Sequence, residues 1–493
     1  ERYNRMNRGY FADQVNPISS RINQAAFPGY KVYGGIGFAG QGGLPRSAYD
    51  TEWNNFQPRL GAAFQLTPTT VLRGGWGISY MNSVATGTLH GFSQSTPYVA
   101  TTDAGRTPAS SVSNPFPSGV FPVPGAAAGM ETLIGQGPSF ADPTGLVGYV
   151  HSFSFGLQKL LPGKVNVDVS YVGSRTMSAA TTKSFNAISA QNRALGDPTQ
   201  GGNPNYLNAQ VPNPFAGLLP GTSLNSATVP RQQLLRPYPQ FTGVNMVDYA
   251  VGKVWYNALQ VMVEKRFSHG LTFTGTYAFS KNLQALNYLN AEDGMPARSL
   301  TPWDRPNRLT IAPVYELPFG PGRALLGQSH GLIAKLVGGW QAVLNTTFMR
   351  GVPMGVPGGV YLLGDPTLSN PTWDRMFKTG YIDADGTIRN VLPGEQPVFQ
   401  IQPPFSLRTA SEYFPNLRNR WGNEYNFSLV KTTTIREGMS VQLRAEVLNL
   451  TNHPIFPGNP TLSPTSANFG KLLRDNGQTN VPRQIMLALR FSF

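Results

Sequence analysis

Apolar and polar residues alternate along the C-terminal stretch of the chain. Every second residue there is apolar: Ile485, Leu487, Leu489, Phe491 and Phe493. Because successive side chains of a β-strand point to opposite faces, the pattern predicts a strand with one wholly apolar face. A strand that meets hydrocarbon on one side and a polar interior on the other is typical of a transmembrane β-barrel.

The same alternation recurs in five predicted hairpins that precede this terminal strand. The hairpins cover residues 55–82, 149–176, 253–282, 306–350 and 421–450, and the terminal strand covers residues 482–493. Together they give about 11 strands of a length that crosses a bilayer. Short turns alternate with loops of roughly 25 to 75 residues, and outer-membrane barrels combine short periplasmic turns with long extracellular loops. We therefore predict an all-β chain that folds as an antiparallel transmembrane β-barrel.

The composition agrees with this class and excludes others. Charged residues make up 13% of the 493 positions, and the chain has 54 glycines, 42 prolines and no cysteine. No run reaches the roughly 18 to 20 apolar residues of a membrane helix, so any membrane span must consist of strands. The net charge is +14, but the 39 lysines and arginines are scattered singly. A nucleic-acid partner is therefore not expected, and anionic lipopolysaccharide or an acidic ligand suits the charge better.

Several segments resemble the barrel of the TonB-dependent, Oar-like outer-membrane receptors. They are residues 256–270, Trp303-Asp-Arg-Pro-Asn-Arg308, and residues 314–320, 443–454, 468–470 and 482–493. The resemblance runs over residues 50–493 and is most specific over residues 440–493. It implies a complete barrel of about 22 strands with a plug in the lumen. It also implies import of a bulky solute with energy from the TonB–ExbB–ExbD system, and insertion by the barrel assembly machinery through the C-terminal strand.

The domain organisation expected from this resemblance is that of a fragment. Residues 1–54 are expected to form an extracellular loop that follows a truncated strand. Residues 55–493 are expected to form a partial barrel, since an odd number of strands does not complete a bacterial barrel of this kind. The plug and the N-terminal regulatory domain are expected to be absent from the chain, and the remaining barrel is expected to lie in outer-membrane lipid.

Two groups of residues follow from the predicted strand faces. The polar positions expected to face the lumen are Arg59, Arg73, Asp168, Gln260, Glu264, Arg266, Gln442, Arg444, Glu446, Gln484 and Arg490. They could contact a solute or simply pair across strands. The aromatic residues expected at the membrane interface are Tyr80, Trp255, Tyr256, Trp421, Tyr425 and Phe493.

The sequence leaves four functions open. The favoured interpretation is a receptor that imports a large polar solute, such as a peptide, a glycan or a chelate. The first alternative is a structural or adhesive surface barrel, the second is a soluble all-β carbohydrate-binding protein, and a bare porin is a weaker third. We expect no enzymatic activity, because no catalytic pattern is evident. We also expect no cofactor and no metal site, since the five histidines lie far apart.

Overall fold

Eleven long strands form the main sheet. The computed structural model describes residues 6–81, 90–96, 98–456, 458–473 and 478–493. Residue 82, the predicted end of the first hairpin, lies outside these ranges. The strands are β1 (Arg59–Thr67), β2 (Thr70–Tyr80), β3 (Tyr149–Leu161), β4 (Val165–Ser184), β5 (Asn245–Ser268), β6 (Leu271–Ala285), β7 (Asn307–Glu316), β8 (Trp340–Met349), β9 (Gly422–Arg436), β10 (Met439–Leu448) and β11 (Gln484–Ser492).

Each long strand pairs antiparallel with its neighbours in chain order. β1 and β11 lie at the two edges, and the described residues do not close the sheet on itself. Two short strands extend it, since Ser299–Leu300 pairs with β6 and Ser139–Ala141 pairs with β5. The prediction of an all-β antiparallel fold is confirmed.

The connections differ in length between the two ends of the strands. At one end the links are short and comprise residues 68–69, 162–164, 269–270 and 437–438, together with the longer segment 317–339. In the link between β5 and β6, His269 and Gly270 have φ values of 51° and 75°. Positive φ at both central residues makes a type I′ turn, whose twist matches the flanking strands. At the other end lie the long connections 81–148, 185–244, 286–306, 350–421 and 449–483.

One face of the sheet presents large apolar side chains that no other part of the described chain covers. Leu60, Phe155, Phe279 and Leu487 are 70%, 59%, 55% and 75% exposed. The strand register places them on the same face, which we call the apolar face. A contiguous apolar surface of this extent marks contact with a partner or a membrane.

The segments outside the main sheet contain their own short elements. The helices are α1 (Ala190–Ala194), α2 (Pro204–Asn208), α3 (Arg231–Leu234) and α4 (Gly331–Val337), with 3-10 turns at Pro17–Arg21, Gly125–Glu131, Pro198–Gln200 and Ser223–Asn225. None of the helices in the described ranges has the length and apolar character needed to cross a membrane. The remaining short strands are Asn7–Tyr10, Ile36–Phe38, Gln210–Pro212, Thr228–Pro230, Pro353–Gly355, Val360–Leu362, Tyr381–Ile382, Ile388–Arg389, Phe399–Ile401 and Tyr413–Arg418.

The buried hydrophobic clusters lie mainly in the long connections rather than in the sheet. The largest surrounds Phe377 and Phe399 and includes Phe469 from the connection between β10 and β11. A second cluster packs Ile18 against Phe215, and a third contains Phe241. Residues 6–54 therefore fold together with the other long connections. We call residues 6–54 and the described parts of the long connections the loop cap.

Candidate functional site

The face opposite the apolar one carries the polar side chains of the sheet, and we call it the polar face. The register places ten of the predicted lumen residues on it: Arg59, Arg73, Asp168, Gln260, Glu264, Gln442, Arg444, Glu446, Gln484 and Arg490. Arg266 lies in a bulge between Lys265 and Ser268, at the end of β5. That this face lines a lumen remains a prediction.

An ion pair crosses the polar face between β2 and β4. The Arg73 guanidinium contacts the Asp168 carboxylate, whose side chain is buried. The residue directly opposite Arg73 on the intervening strand β3 is Gly156. Since glycine has no side chain, it leaves the guanidinium a clear path over β3. A Cβ at this position would lie 2.9 Å from Cβ of Ser170.

Beside this ion pair the polar face forms a concavity of about 550 Å³. Its lining comes from β2, β4, β5, β6 and β7, with Arg73, Asp168, Gln260, Thr276 and Arg308 among the contributing residues. Side chains from five strands thus surround a single hollow on the polar face. Arg308 was not among the predicted site residues, although its alternation with Leu309 could have revealed it. Two arginines and one aspartate give the hollow a net positive charge.

Away from the concavity, the polar face carries exposed charges near the β11 edge. Arg444 and Glu446 on β10 pair through Nη1 and Oε1 at 3.0 Å. Gln442 lies opposite Arg490 and donates from Nε2 to Oγ1 of Thr432 at 3.3 Å. At this end of the face one polar contact thus lies within β10 and the other joins β10 to β9. Within the described ranges, no group of three or more acidic or histidine side chains could hold a metal ion.

The predicted interface aromatics have different surroundings. Tyr80 and Tyr149 pack together on the apolar face, with ring centroids 5.6 Å apart, and Tyr425 packs on Phe348 at 5.4 Å. Trp421 lies just before β9, and Phe493 follows β11 and is fully exposed. Their roles at a membrane interface remain predictions.

The prediction for Tyr256 needs correction, whereas Trp255 does lie on the apolar face. Tyr256 pairs with Ser174 and Asn282, which places it on the polar face. Because strand side chains alternate, two neighbours in sequence cannot both face lipid.

A buried network joins three long connections of the loop cap. Arg193 in α1 binds Asp197 at 2.9 Å and Glu292 at 3.0 Å, and it also donates to the carbonyl of Phe405 at 2.7 Å. Burial acts to lower the pKa of Arg193, but the hydrogen bonds and charges of Glu292 and Asp197 outweigh it and raise that pKa overall. The cap is therefore one connected structure rather than a set of independent loops.

An open sheet with an apolar outer face, a polar concave face and long folded connections at one end defines part of an outer-membrane β-barrel. The chain belongs to the outer membrane beta barrel domain family, whose model matches residues 1–486. It is therefore a protein of the bacterial outer membrane. The comparison with curated proteins found no match.

The comparison with solved structures matches several outer-membrane proteins. The outer membrane transporter YddB from Escherichia coli is 8% identical, with 86% of this chain and 39% of that chain covered and a TM-score of 0.37. The siderophore receptor PiuA from Acinetobacter baumannii is 8% identical, with 94% and 38% covered and a TM-score of 0.36. The FrpB iron transporter from Neisseria meningitidis is 9% identical, with 94% and 40% covered and a TM-score of 0.37. The chain thus spans about two fifths of the length of these proteins.

Proposed function

We propose that this chain forms part of the barrel of a TonB-dependent receptor that binds a large polar solute and imports it. The observation that carries the proposal is a polar face that holds a positively charged concavity and joins the loop cap at one end of the strands. An adhesin needs the cap but has no use for a charged hollow on the inner face. The resemblance of residues 256–270 and 443–454 to the Oar-like receptors supports the TonB-dependent class. Under this proposal, energy for import comes from the TonB–ExbB–ExbD system.

The chemistry of the polar face suits a peptide, a glycan or a chelate that carries negative charge. Arg59, Arg308 and Arg490 form none of the ion pairs found among the described residues. Such cations attract anionic groups, while the amides and hydroxyls between them donate and accept hydrogen bonds. In this account the cap captures the solute, and the polar face then guides it inward.

The test compares uptake with and without the energy source. Cells that produce the full-length protein are incubated with labelled ferric chelates, oligosaccharides and oligopeptides, and accumulation is measured. We expect at least one probe class to accumulate only when both this protein and TonB are present. Binding of a probe without any TonB-dependent accumulation would favour the structural or adhesive alternative.

A pair of matched variants connects uptake to the polar face. Arg308→Gln removes a cation from the concavity, whereas Arg436→Gln removes one at the end of β9, next to a short turn. We expect Arg308→Gln to weaken binding of the imported probe about 10-fold or more, since a hydrogen bond to a charged group is worth about 1.5–3 kcal/mol. Arg436→Gln should leave it within about twofold. Equal losses in both variants would contradict a role for the concavity.

A further inference from the structure

A second hollow lies on the apolar face, at the end of the strands that carries the long connections. It measures about 600 Å³. Its apolar floor includes Tyr171, Leu259 and Phe279, which belong to β4, β5 and β6 and are all exposed. Residues 300–306 and 415–418 overhang it from the loop cap. In an outer-membrane barrel this position is the boundary between the outer-leaflet hydrocarbon and its headgroups.

Two cations line this hollow without a carboxylate to neutralise them. Lys281 is exposed at the outer end of β6, and Arg350 follows β8 directly. Neither takes part in any of the ion pairs found among the described residues. The Arg350 guanidinium lies 5.7 Å from the ring centroid of Trp421, a contact that positions the guanidinium and leaves its charge intact.

The acidic residue in the lining, Asp304, is already fully engaged. Its carboxylate binds Arg418 at 2.6 Å and accepts from the backbone N–H of Asn282 at 2.6 Å. The side chains of Asp304 and Arg418 are 1% and 9% exposed, so this pair is sequestered and neutral overall. The hollow therefore keeps a net charge of two from Lys281 and Arg350.

A polar donor completes the lining. Oδ1 of Asn257 accepts from Oη of Tyr171 at 2.7 Å and from Nη2 of Arg175 at 2.8 Å. Because an arginine can only donate, this contact determines the orientation of the amide. The two N–H groups on Nδ2 of Asn257 remain available to an acceptor in the hollow. Two cations and an amide donor above an apolar floor match a phosphate group that is attached to acyl chains.

We infer that this hollow binds the phosphorylated headgroup of an outer-leaflet lipid of the lipopolysaccharide class. The acyl chains lie along the apolar face below Leu259 and Phe279, and the phosphate is held between Lys281 and Arg350. The inference does not depend on solute import, because it uses the opposite face of the sheet.

The experiment measures lipid binding to the purified full-length protein in detergent. Bis-phosphorylated lipid A, its dephosphorylated form and inorganic phosphate are titrated separately, and bound lipid is followed by native mass spectrometry. We expect the phosphorylated lipid to bind about 10-fold or more tightly than the dephosphorylated one. Equal binding of the two lipids would overturn the inference. Displacement of the lipid by equimolar inorganic phosphate would also overturn it, because the site would then recognise a free anion.

Variants separate this site from general charge effects. Lys281→Gln together with Arg350→Gln should abolish the preference for phosphorylated lipid. Lys159→Gln removes an exposed cation from the same face at the other end of β3, and it should keep the preference. Lys281→Gln alone alters an exposed side chain, so it tests the site if the double variant fails to fold. A loss of preference in Lys159→Gln as large as in the double variant would contradict a defined site.

Discussion

Large apolar side chains are exposed on one face of the sheet, whereas in the core of the loop cap they are buried. In the sheet, Leu60 and Leu487 are 70% and 75% exposed, whereas in the cap Phe215 and Phe399 are fully buried. In both regions the backbone N–H and C=O groups form hydrogen bonds with each other. The difference in the exposure of apolar side chains therefore comes from the surrounding solvent. Hydrocarbon surrounds the outer face of the sheet, and water surrounds the cap. The cap can therefore fold as a water-soluble domain does, around a core, while the sheet needs none.

The largest expected effect comes from opening the core of the cap. Phe399 packs against Phe377, Phe414 and Phe469, with ring centroids 5.7 to 6.3 Å apart. Phe399→Ala should cost the cap about 3–5 kcal/mol, because a buried cavity replaces the ring. We expect limited proteolysis to cleave residues 350–421 faster, while the sheet stays in the membrane and keeps its heat-dependent mobility on gels. Ile388→Ala, at an exposed position of the same connection, is the control. Loss of the membrane-inserted form would show that the two regions are not independent.

A charge on the outer face of the sheet should have the next largest effect. Leu487→Arg places a guanidinium midway along β11 and should cost about 2–4 kcal/mol, the usual cost near the bilayer midplane. Met486→Arg places the same charge on the polar face opposite Glu446, where the cost should be small. Urea unfolding from lipid vesicles measures both. Equal destabilisation by the two variants would contradict the view that only the apolar face contacts lipid.

Alkaline pH should weaken the cap selectively. Burial raises the pKa of Tyr30 from 10.0 to about 12, and its hydroxyl has no hydrogen-bond partner among the described residues. Below pH 10 both the folded and the unfolded chain keep this proton, so Tyr30 contributes its full share to the free energy of unfolding of the cap. Between pH 10 and 12 only the unfolded chain loses it, and stability falls by less than about 3 kcal/mol.

Tyr30→Phe checks this expectation, because phenylalanine cannot ionise. Stability of the cap, followed by proteolysis at each pH, should decline less between pH 10 and 12 in the variant than in the wild type. Tyr98→Phe, at an exposed position, should behave as the wild type does. An unchanged alkaline decline in Tyr30→Phe would show that Tyr30 does not control it.

The smallest effect is expected on the polar face. Asp168→Asn removes the ion pair with Arg73, whose side chain is 53% exposed and therefore screened by water. The cost should be about 0.5–1 kcal/mol in urea unfolding and should shrink at high salt. A cost above that of Leu487→Arg would contradict the view that water fills this side of the sheet.

The strands and their faces could be predicted from the sequence because alternation is a local property. The end of β4 and the start of β5 could not be predicted. In the structure β4 continues to Ser184, and β5 already begins at Asn245. Register shifts near Tyr249 and Gly252 interrupt the alternation there, and small residues such as Ala179 and Ala180 carry little apolar signal. The sequence therefore predicted that one hairpin ends at residue 176 and the next begins at residue 253, although both positions lie within the long strands.

The contacts that build the candidate site were not predictable in the same way. The Arg73–Asp168 pair joins residues on β2 and β4, and it depends on Gly156 between them. The cap joins Ile18 to Phe215 and Phe399 to Phe469, which are distant in sequence. No local pattern encodes such partners, so the sequence predicted long loops but not a folded cap.

The membrane-spanning sheet can be tested most directly by measuring whether successive residues on the central strand β5 contact lipid or water. The chain has no cysteine, so single cysteines can be introduced and labelled with a fluorophore. Labels at Leu259, Val261 and Val263 should be quenched by brominated lipid, and labels at Gln260, Met262 and Glu264 by aqueous iodide. We expect this alternation in the full-length protein in lipid vesicles, because successive side chains of a strand point to opposite faces. Quenching of all six labels by iodide alone would contradict a membrane-spanning sheet.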